Sequence, residues 1–212
     1  MKVLITAGPT QEPIDDVRYI TNASSGKFGV ALAVEALKRG HEVTLIHGQV
    51  TLQLPDCKKI GVRTAGEMLK AVTDELKGGY DVFMPTAAVA DYVPAKADGK
   101  IRSGGDLTLK LQPTKKIIDE VRAAYPNLFI VGFKAEYGSS KDELKAKAKE
   151  FLRLKHLNML VANDIKKNVF GSDETEIVLA TPDSIKEFEK MSKEELAKVI
   201  WKEIELNGEL KG

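Results

Sequence analysis

The sequence predicts an α/β fold with an open parallel sheet between two helical layers, because continuous apolar runs recur along the chain with helix-length amphipathic segments between them. The runs are Val3-Leu4-Ile5, Val82-Phe83-Met84, Phe129-Ile130-Val131 and Met159-Leu160-Val161, as expected of strands covered on both faces. In order, strands are predicted over residues 2–6, 42–46, 81–84, 128–132, 159–162 and 177–181. Helices are predicted over 25–38, 65–76, 115–124, 141–154 and 192–206. Gly40, after Lys38-Arg39, is a good stop for the first helix, since glycine tolerates the left-handed conformation and the cations complement the helix dipole. This alternation is Rossmann-like.

One stretch breaks the pattern. Residues 85–114 contain no crossover helix, and Asp106-Leu-Thr-Leu-Lys-Leu111 alternates as an exposed antiparallel strand would. So long an irregular segment in a compact domain is usually functional or an interface, and an antiparallel excursion at a dimer interface is expected here. No repeat or low-complexity linker divides the chain, so residues 1–212 are read as one domain.

Composition narrows the class. The chain has 212 residues, 43% of them hydrophobic, and 32 basic against 31 acidic side chains, a net charge of +1. That balance gives no electrostatic reason to expect nucleic acid. No long apolar span predicts a membrane segment, and a first strand beginning at once leaves no room for a signal peptide. Cys57 is the single cysteine, which excludes an intrachain disulfide and fits a cytoplasmic location.

The richest motif is Arg18-Tyr-Ile-Thr-Asn-Ala-Ser-Ser-Gly-Lys-Phe-Gly29, which leads into the first helix. The N–H groups of Ser24, Ser25 and Gly26 are expected to face a phosphate there, with Gly26 and Gly29 permitting close approach of ligand and strand. A Ser-Ser pair that merely caps the helix is the alternative. A P-loop would need Ser or Thr after Gly26-Lys27, where this chain has Phe28. A dinucleotide site would carry an acid at the end of the second strand, which here closes on His47-Gly48. In an open α/β sheet, ligands lie beyond the carboxyl ends of the strands. The segments to read are therefore Thr6-Ala-Gly-Pro-Thr10, Pro85-Thr-Ala-Ala-Val-Ala-Asp-Tyr92, Gly132-Phe-Lys-Ala-Glu136 and Asn163-Asp164. Gly8, Ala87 and Ala88 would let a ligand lie against backbone, and Asp91 could accept from an amide or hydroxyl.

Taken together, Gly8-Pro9-Thr10, Val17-Arg-Tyr-Ile-Thr-Asn-Ala-Ser-Ser-Gly26, Ala87-Ala-Val-Ala-Asp-Tyr92 and Val161-Ala-Asn-Asp164 resemble the phosphopantothenoylcysteine synthetase family. The likeness covers nearly the whole chain, in order. It implies ligation of 4'-phosphopantothenate to cysteine in coenzyme A biosynthesis through an acyl-nucleotide intermediate, with Mg²⁺ accompanying the nucleotide. By the same resemblance Asn22 holds the intermediate and its carbonyl oxygen, and Lys100 belongs to a flap that closes over it. Gly8, Ser24, Gly26 and Gly29 map to nucleotide phosphate contacts, with Phe133 and Asn163 as further nucleotide contacts. Ala87, Ala88 and Asp91 map to the pocket shared by the pantothenoyl and nucleotide groups. Arg18 matches an arginine that reaches the ligand of the adjoining subunit, implying a homodimer with shared sites. No metal ligands are assigned. Bacterial members are commonly fused to a flavin-dependent decarboxylase, which this chain lacks, so it reads as either a free-standing enzyme or an excised domain.

Three departures from the family pattern stand out. Lys100-Ile-Arg-Ser103 replaces a Lys-x-Lys-Lys segment, Pro113-Thr-Lys-Lys116 replaces Lys-Asn-Pro-Asp, and a Lys-x-x-x-Lys pair becomes Phe151 and Lys155. Lys155 is retained as a triphosphate contact. The Ala-Asp-Tyr and Val-Ala-Asn-Asp segments favour CTP over ATP by likeness to the bacterial type. Two other functions compete. Tyr92-Val-Pro-Ala-Lys96 has the Tyr-x-x-x-Lys spacing of a short-chain NAD(P)-dependent oxidoreductase, although Pro94 disfavours the helix that pair needs. A non-catalytic nucleotide-binding module is the other.

Overall fold

The computed structural model describes residues 1–166 and 172–208. Its main sheet has eight strands in the order β12-β11-β10-β9-β6-β1-β4-β5. These are β1 (Lys2–Ala7), β4 (Glu42–His47), β5 (Lys58–Gly61), β6 (Val82–Pro85), β9 (Phe129–Glu136), β10 (Met159–Asp164), β11 (Glu174–Ala180) and β12 (Ile185–Ser192). Neighbours are parallel from β5 through β10, while β10, β11 and β12 pair antiparallel.

Alternate strand residues face opposite sides, and two apolar cores form accordingly. Val3 and Ile5 pack with helices α1 (Lys27–Lys38) and α5 (Lys193–Gly208). Leu4, between them, joins the other core with α2 (Ala65–Leu76), α3 (Ile117–Ala124) and α4 (Lys141–Leu154). The expected three-layer arrangement is thus present, and all five predicted helices form.

The start points of α2 and α4 follow from local chemistry. Thr64 with Glu67, and Ser140 with Glu143, form reciprocal capping boxes that satisfy first-turn donors. By contrast α1 begins at Gly26, in a left-handed conformation (φ 76°), with no side-chain cap and no acid in its first turn.

The excursion differs from expectation. Residues 106–110 form no strand; only β8 (Leu111–Pro113) pairs, antiparallel with β7 (Tyr92–Pro94), in a separate two-stranded sheet. Polar/apolar alternation needs a neighbouring edge to become a strand, and this segment meets one only at its end. A second small sheet joins β2 (Gln11–Pro13) to β3 (Tyr19–Thr21). Two edge strands also escape the sequence pattern. β5 carries Lys58-Lys59, charges suited to an unpaired edge, and β12 pairs with β11 through a register shift between Thr175 and Ile177 that blurs its alternation.

Trp201 locks α5 onto α1: it is fully buried, and its Nε1 donates to the Leu32 carbonyl at 2.9 Å. Trp201→Ala should destabilise the fold by about 3–5 kcal/mol, the usual cost of emptying a large aromatic site. Urea unfolding followed by far-ultraviolet circular dichroism would measure it, and a loss below about 1 kcal/mol would show that α5 is not held by this residue.

Candidate functional site

β1 lies between β4 and β6, and the chain leaves it first toward β4 and later returns to β6 on its other side. This reversal opens a crevice beyond the carboxyl ends of the strands, the usual ligand position in open α/β sheets. A cavity of about 390 Å³ occupies it. Its walls come from the first turn of α1, the loop after β6 and the ends of β9 and β10.

The α1 wall is made by very close packing. A Cβ on Gly26 would stand 2.6 Å from Val50 Cγ1 and 3.1 Å from Gly8 Cα, and one on Gly29 would stand 2.6 Å from Ala7 Cβ and 3.1 Å from the Thr6 carbonyl. Gly29 therefore serves helix-to-strand packing, and Gly8 supports Gly26 without itself lining the cavity. The serine loop corrects one expectation. The Ser24 N–H donates to the Asn22 carbonyl at 2.9 Å, and the Gly26 N–H to Ser24 Oγ at 3.3 Å, so these donors serve the loop itself. The first backbone bond of the helix runs from Val30 to Gly26 at 3.1 Å. Helical geometry leaves the Phe28 and Gly29 N–H groups ahead of it without an intrahelical partner.

Threonines fasten the second wall to the first. Thr6 Oγ1 accepts from the Ala87 N–H at 3.1 Å, Thr10 Oγ1 accepts from the Ala90 N–H at 3.0 Å, and Thr86 Oγ1 donates to the Thr6 carbonyl. Asn22 crosses between these walls. Its Nδ2 donates to the carbonyls of Ala88 at 3.1 Å and Val89 at 3.3 Å. The amide assigned to the intermediate is thus held in place by two carbonyls of the second wall.

Asn22, Ser24, Gly26 and Gly29 line the cavity, as do Ala87, Ala88, Asp91, Phe133 and Asn163. Asp91 is paired with Lys116, and Phe133 meets Phe28 edge-on with ring centroids 5.6 Å apart. Besides Gly8, three predicted residues stand elsewhere. Lys155 pairs with Asp119 of α3 at 2.8 Å and does not line the cavity, because it closes α4 just before β10 begins, near the amino ends of the strands and not the carboxyl ends where the crevice lies. Arg18 is used within its own chain, where Nη2 donates to the Ile101 carbonyl at 2.9 Å. Lys100 is exposed between two fixed neighbours, away from the cavity lining.

Those neighbours are fixed by carboxylates that sequence reasoning missed. Asp15 is buried and accepts from the N–H groups of Val17 (2.8 Å), Arg18 (2.6 Å) and Ile101 (3.1 Å), while Asp16 accepts from Gly99 at 3.1 Å. Burial pushes the Asp15 carboxyl up, but the N–H groups of Arg18, Val17 and Ile101, aided by the Arg18 guanidinium, hold it below its ordinary value. Their partner amides lie over eighty residues away in part, so no local pattern betrays the clamp.

Three lysines also join the cavity wall unpredicted: Lys27, Lys134 and Lys193. Lys27 pairs with Asp173, and Lys193 Nζ donates to the Ser172 carbonyl. Burial, followed by repulsion from Lys27, pulls the Lys193 ammonium below the ordinary lysine value. Lys134 lies in a post-strand segment already singled out, which was the available signal. The Tyr92 and Lys96 pair dissolves: Tyr92 begins β7, and Lys96 is bound to Asp16 at 2.6 Å, so the two never share a helical turn.

The model of the DNA/pantothenate metabolism flavoprotein C-terminal domain matches residues 1–206. The coenzyme A biosynthesis bifunctional protein CoaBC of Thermococcus kodakarensis is 50% identical over 206 residues, covering 96% of this chain and 51% of the relative. The chain spans about half the length of the curated relatives it matches. Among solved structures, the C-terminal domain of CoaBC superposes with a TM-score of 0.82 at 34% identity, over 98% of this chain and 95% of that one. The DNA/pantothenate metabolism flavoprotein from Streptococcus pneumoniae gives 0.86 at 25% identity, over 97% and 99%. Among the described residues, no helix is long and apolar enough to cross a membrane.

A carboxyl group with a lowered native pKa contributes stability above its unfolded value and loses it as pH falls through the native one. The Asp15 clamp should therefore stay closed at pH 5 and open only below the ordinary aspartate value of about 3.9. The backbone amide resonances of Val17, Arg18 and Ile101 should shift together with one midpoint below that value, and Asp15→Asn should abolish the shared transition. Independent midpoints for the three amides would refute a single carboxylate clamp.

Proposed function

Because the chain belongs to the DNA/pantothenate metabolism flavoprotein C-terminal domain family, we propose that it joins 4'-phosphopantothenate to cysteine, in coenzyme A biosynthesis, using a nucleoside triphosphate. The observation that carries this reading is the cavity itself, where an uncapped helix N-terminus, Asn22 and the Ala87-to-Asp91 loop converge on one crevice. The relatives' names supply the pathway.

In the proposed reaction, a carboxylate oxygen of 4'-phosphopantothenate attacks the nucleotide α-phosphorus. The bond to the β-phosphate breaks and pyrophosphate leaves. The cysteine amine then attacks the acyl carbon, a C–N bond forms, the C–O bond to phosphorus breaks, and nucleoside monophosphate leaves as the amine gives up a proton. Such chemistry asks for charge stabilisation more than for a nucleophilic side chain. The Phe28 and Gly29 N–H groups suit phosphate, and Asn22 suits the carbonyl oxygen once the longer bond to Val89 is exchanged for the ligand. Lys100 would add charge if the excursion closes over the site.

Among the described residues, no three His, Cys, Asp or Glu side chains gather as a metal site. Mg²⁺ in this reading is held chiefly by the polyphosphate, with Asp91 or Glu174 on the cavity wall as a carboxylate partner. It would spread the charge of the leaving pyrophosphate. CTP is favoured over ATP by the Ala90-Asp-Tyr92 and Val161-Ala-Asn-Asp164 segments. A homodimer fits the exposed apolar side chains Val17, Tyr19, Tyr92, Leu107 and Leu111, which fall on or beside the two small sheets and the segment joining β7 to β8.

With 4'-phosphopantothenate and Mg²⁺, CTP should release pyrophosphate, and added cysteine should release CMP; ATP, GTP and UTP in parallel assays would establish the base. Asn22→Ala should lower turnover by about 10²-fold or more while leaving the circular dichroism spectrum unchanged. No pyrophosphate with any nucleotide would reject the ligase. Assembly has its own test. Mixing Asn22→Ala with Arg18→Ala protomers should restore activity, because a heterodimer gathers both lesions in one shared site and leaves the other intact. Confirmed subunit exchange without recovery would reject the shared site and leave the ligase standing.

A further inference from the structure

Lys134 is placed to do something that no part of the reaction above uses. It follows Phe133 on β9, and the two side chains leave the strand in opposite directions: Phe133 meets Phe28 of α1, whereas the Lys134 ammonium lies 4.7 Å from the ring centre of Phe151 on α4. The same ammonium is 2.8 Å from Glu136, which Lys147 also reaches at 2.7 Å. Lys147 is held in turn by Ser139 Oγ at 3.0 Å. Two ammonium groups share this carboxylate, and Glu143 and Asp164 also act on Lys147, so Lys147 is the more fully compensated of the two cations. The Lys134 side chain is 27% exposed, and it lines the cavity that α1 also lines.

A flexible lysine normally gives up rotamer freedom when it binds an anion. Here the aromatic face and the carboxylate have already fixed the ammonium, so little further entropy is lost on binding. The first turn of α1 has donors for one phosphate group. A cation on a separate wall of the same cavity suits a second phosphate along the same chain.

The geometry points to Lys134 as a binding residue for the polyphosphate of the nucleoside triphosphate, engaging a phosphate beyond the one held at the α1 N-terminus. This rests on the ligase reading. The phosphate of 4'-phosphopantothenate offers the same chemistry, but it is a single group and gains nothing from two separated cationic sites. Lys155, held by Asp119 outside the cavity, is not available for the task. Replacing Lys134 leaves Glu136 its bond to Lys147, so the carboxylate is not stranded and the fold should persist.

Titration calorimetry on Lys134→Met, Lys134→Gln and Lys134→Arg, with CTP, CMP and 4'-phosphopantothenate as separate probes, tests the assignment. ATP replaces CTP if ATP gives the larger pyrophosphate release. Both neutral variants should weaken triphosphate binding by about tenfold or more, with CMP and 4'-phosphopantothenate changed by less than about twofold. Lys134→Arg should recover most of the loss. The double variant Lys134→Met/Phe151→Lys, which moves the cation across the contact to α4, should recover part of it. Unchanged triphosphate binding, an equal loss for CMP, or a loss confined to 4'-phosphopantothenate would overturn the assignment. Failure of the ligase reading looks different, since the wild-type protein would then release no pyrophosphate with any nucleotide.

Discussion

The site depends on how closely α1 approaches the end of β1. Gly29 rests on Ala7 and Thr6, and Gly26 rests on Gly8 and Val50, at separations that a single Cβ would violate. Hard-core repulsion therefore fixes the residue type at these points, and the residue type fixes where the helix axis starts. Everything that faces the crevice inherits that position. The first-turn N–H groups sit at the carboxyl end of β1, and the Thr86 side chain that closes on the Thr6 carbonyl fits only because Gly29 leaves the space.

Helix capping follows the same logic. α2 and α4 consume their first-turn donors with capping boxes, and each carries acids that offset the dipole. α1 carries neither: Ser24 Oγ accepts from the Gly26 N–H and Ser25 Oγ from the Lys27 N–H, the first of the helix, which leaves the next donors of the turn to be satisfied. An uncapped helix end inside a crevice costs stability unless water or a ligand completes it. The cavity wall adds Lys27, Lys134 and Lys193 to that positive end against Asp91 and Glu174, although the whole chain is nearly neutral. Local charge, rather than the net +1, defines what the crevice attracts.

The excursion is tied to this centre by hydrogen bonds, through two carboxylates and through backbone bonds from Asp16 to Gly99 and from Ala97 to Ile14. Asp15 and Asp16 gather the amides of Val17, Arg18, Gly99 and Ile101, so the turn between β2 and β3 holds the segment that carries Lys100. Asn22 then joins the end of the same hairpin to the loop after β6. A displacement of the hairpin would thus reach the cavity through two hydrogen-bonded connections.

The sequence alone determined the layer order and the helices, because apolar runs and capping residues act within a few positions of one another. Thr64-Ala-Gly-Glu67 and Ser140-Lys-Asp-Glu143 mark helix starts without any tertiary information. The glycine-serine motif likewise located the helix end that borders the cavity, and the loops after the strands located most of the cavity wall. Tertiary structure decided which donors remained for a ligand. Ser24 and Gly26 lose theirs to the loop, Asn22 gives its amide to Ala88 and Val89, and Lys134 joins the cavity wall while Lys155 turns to Asp119. The β7–β8 pair, the charged edge strand β5 and the Asp15 clamp were also decided there. Each rests on partners far apart in sequence, and the energy of a hydrogen bond or ion pair depends on a distance that only the folded chain sets.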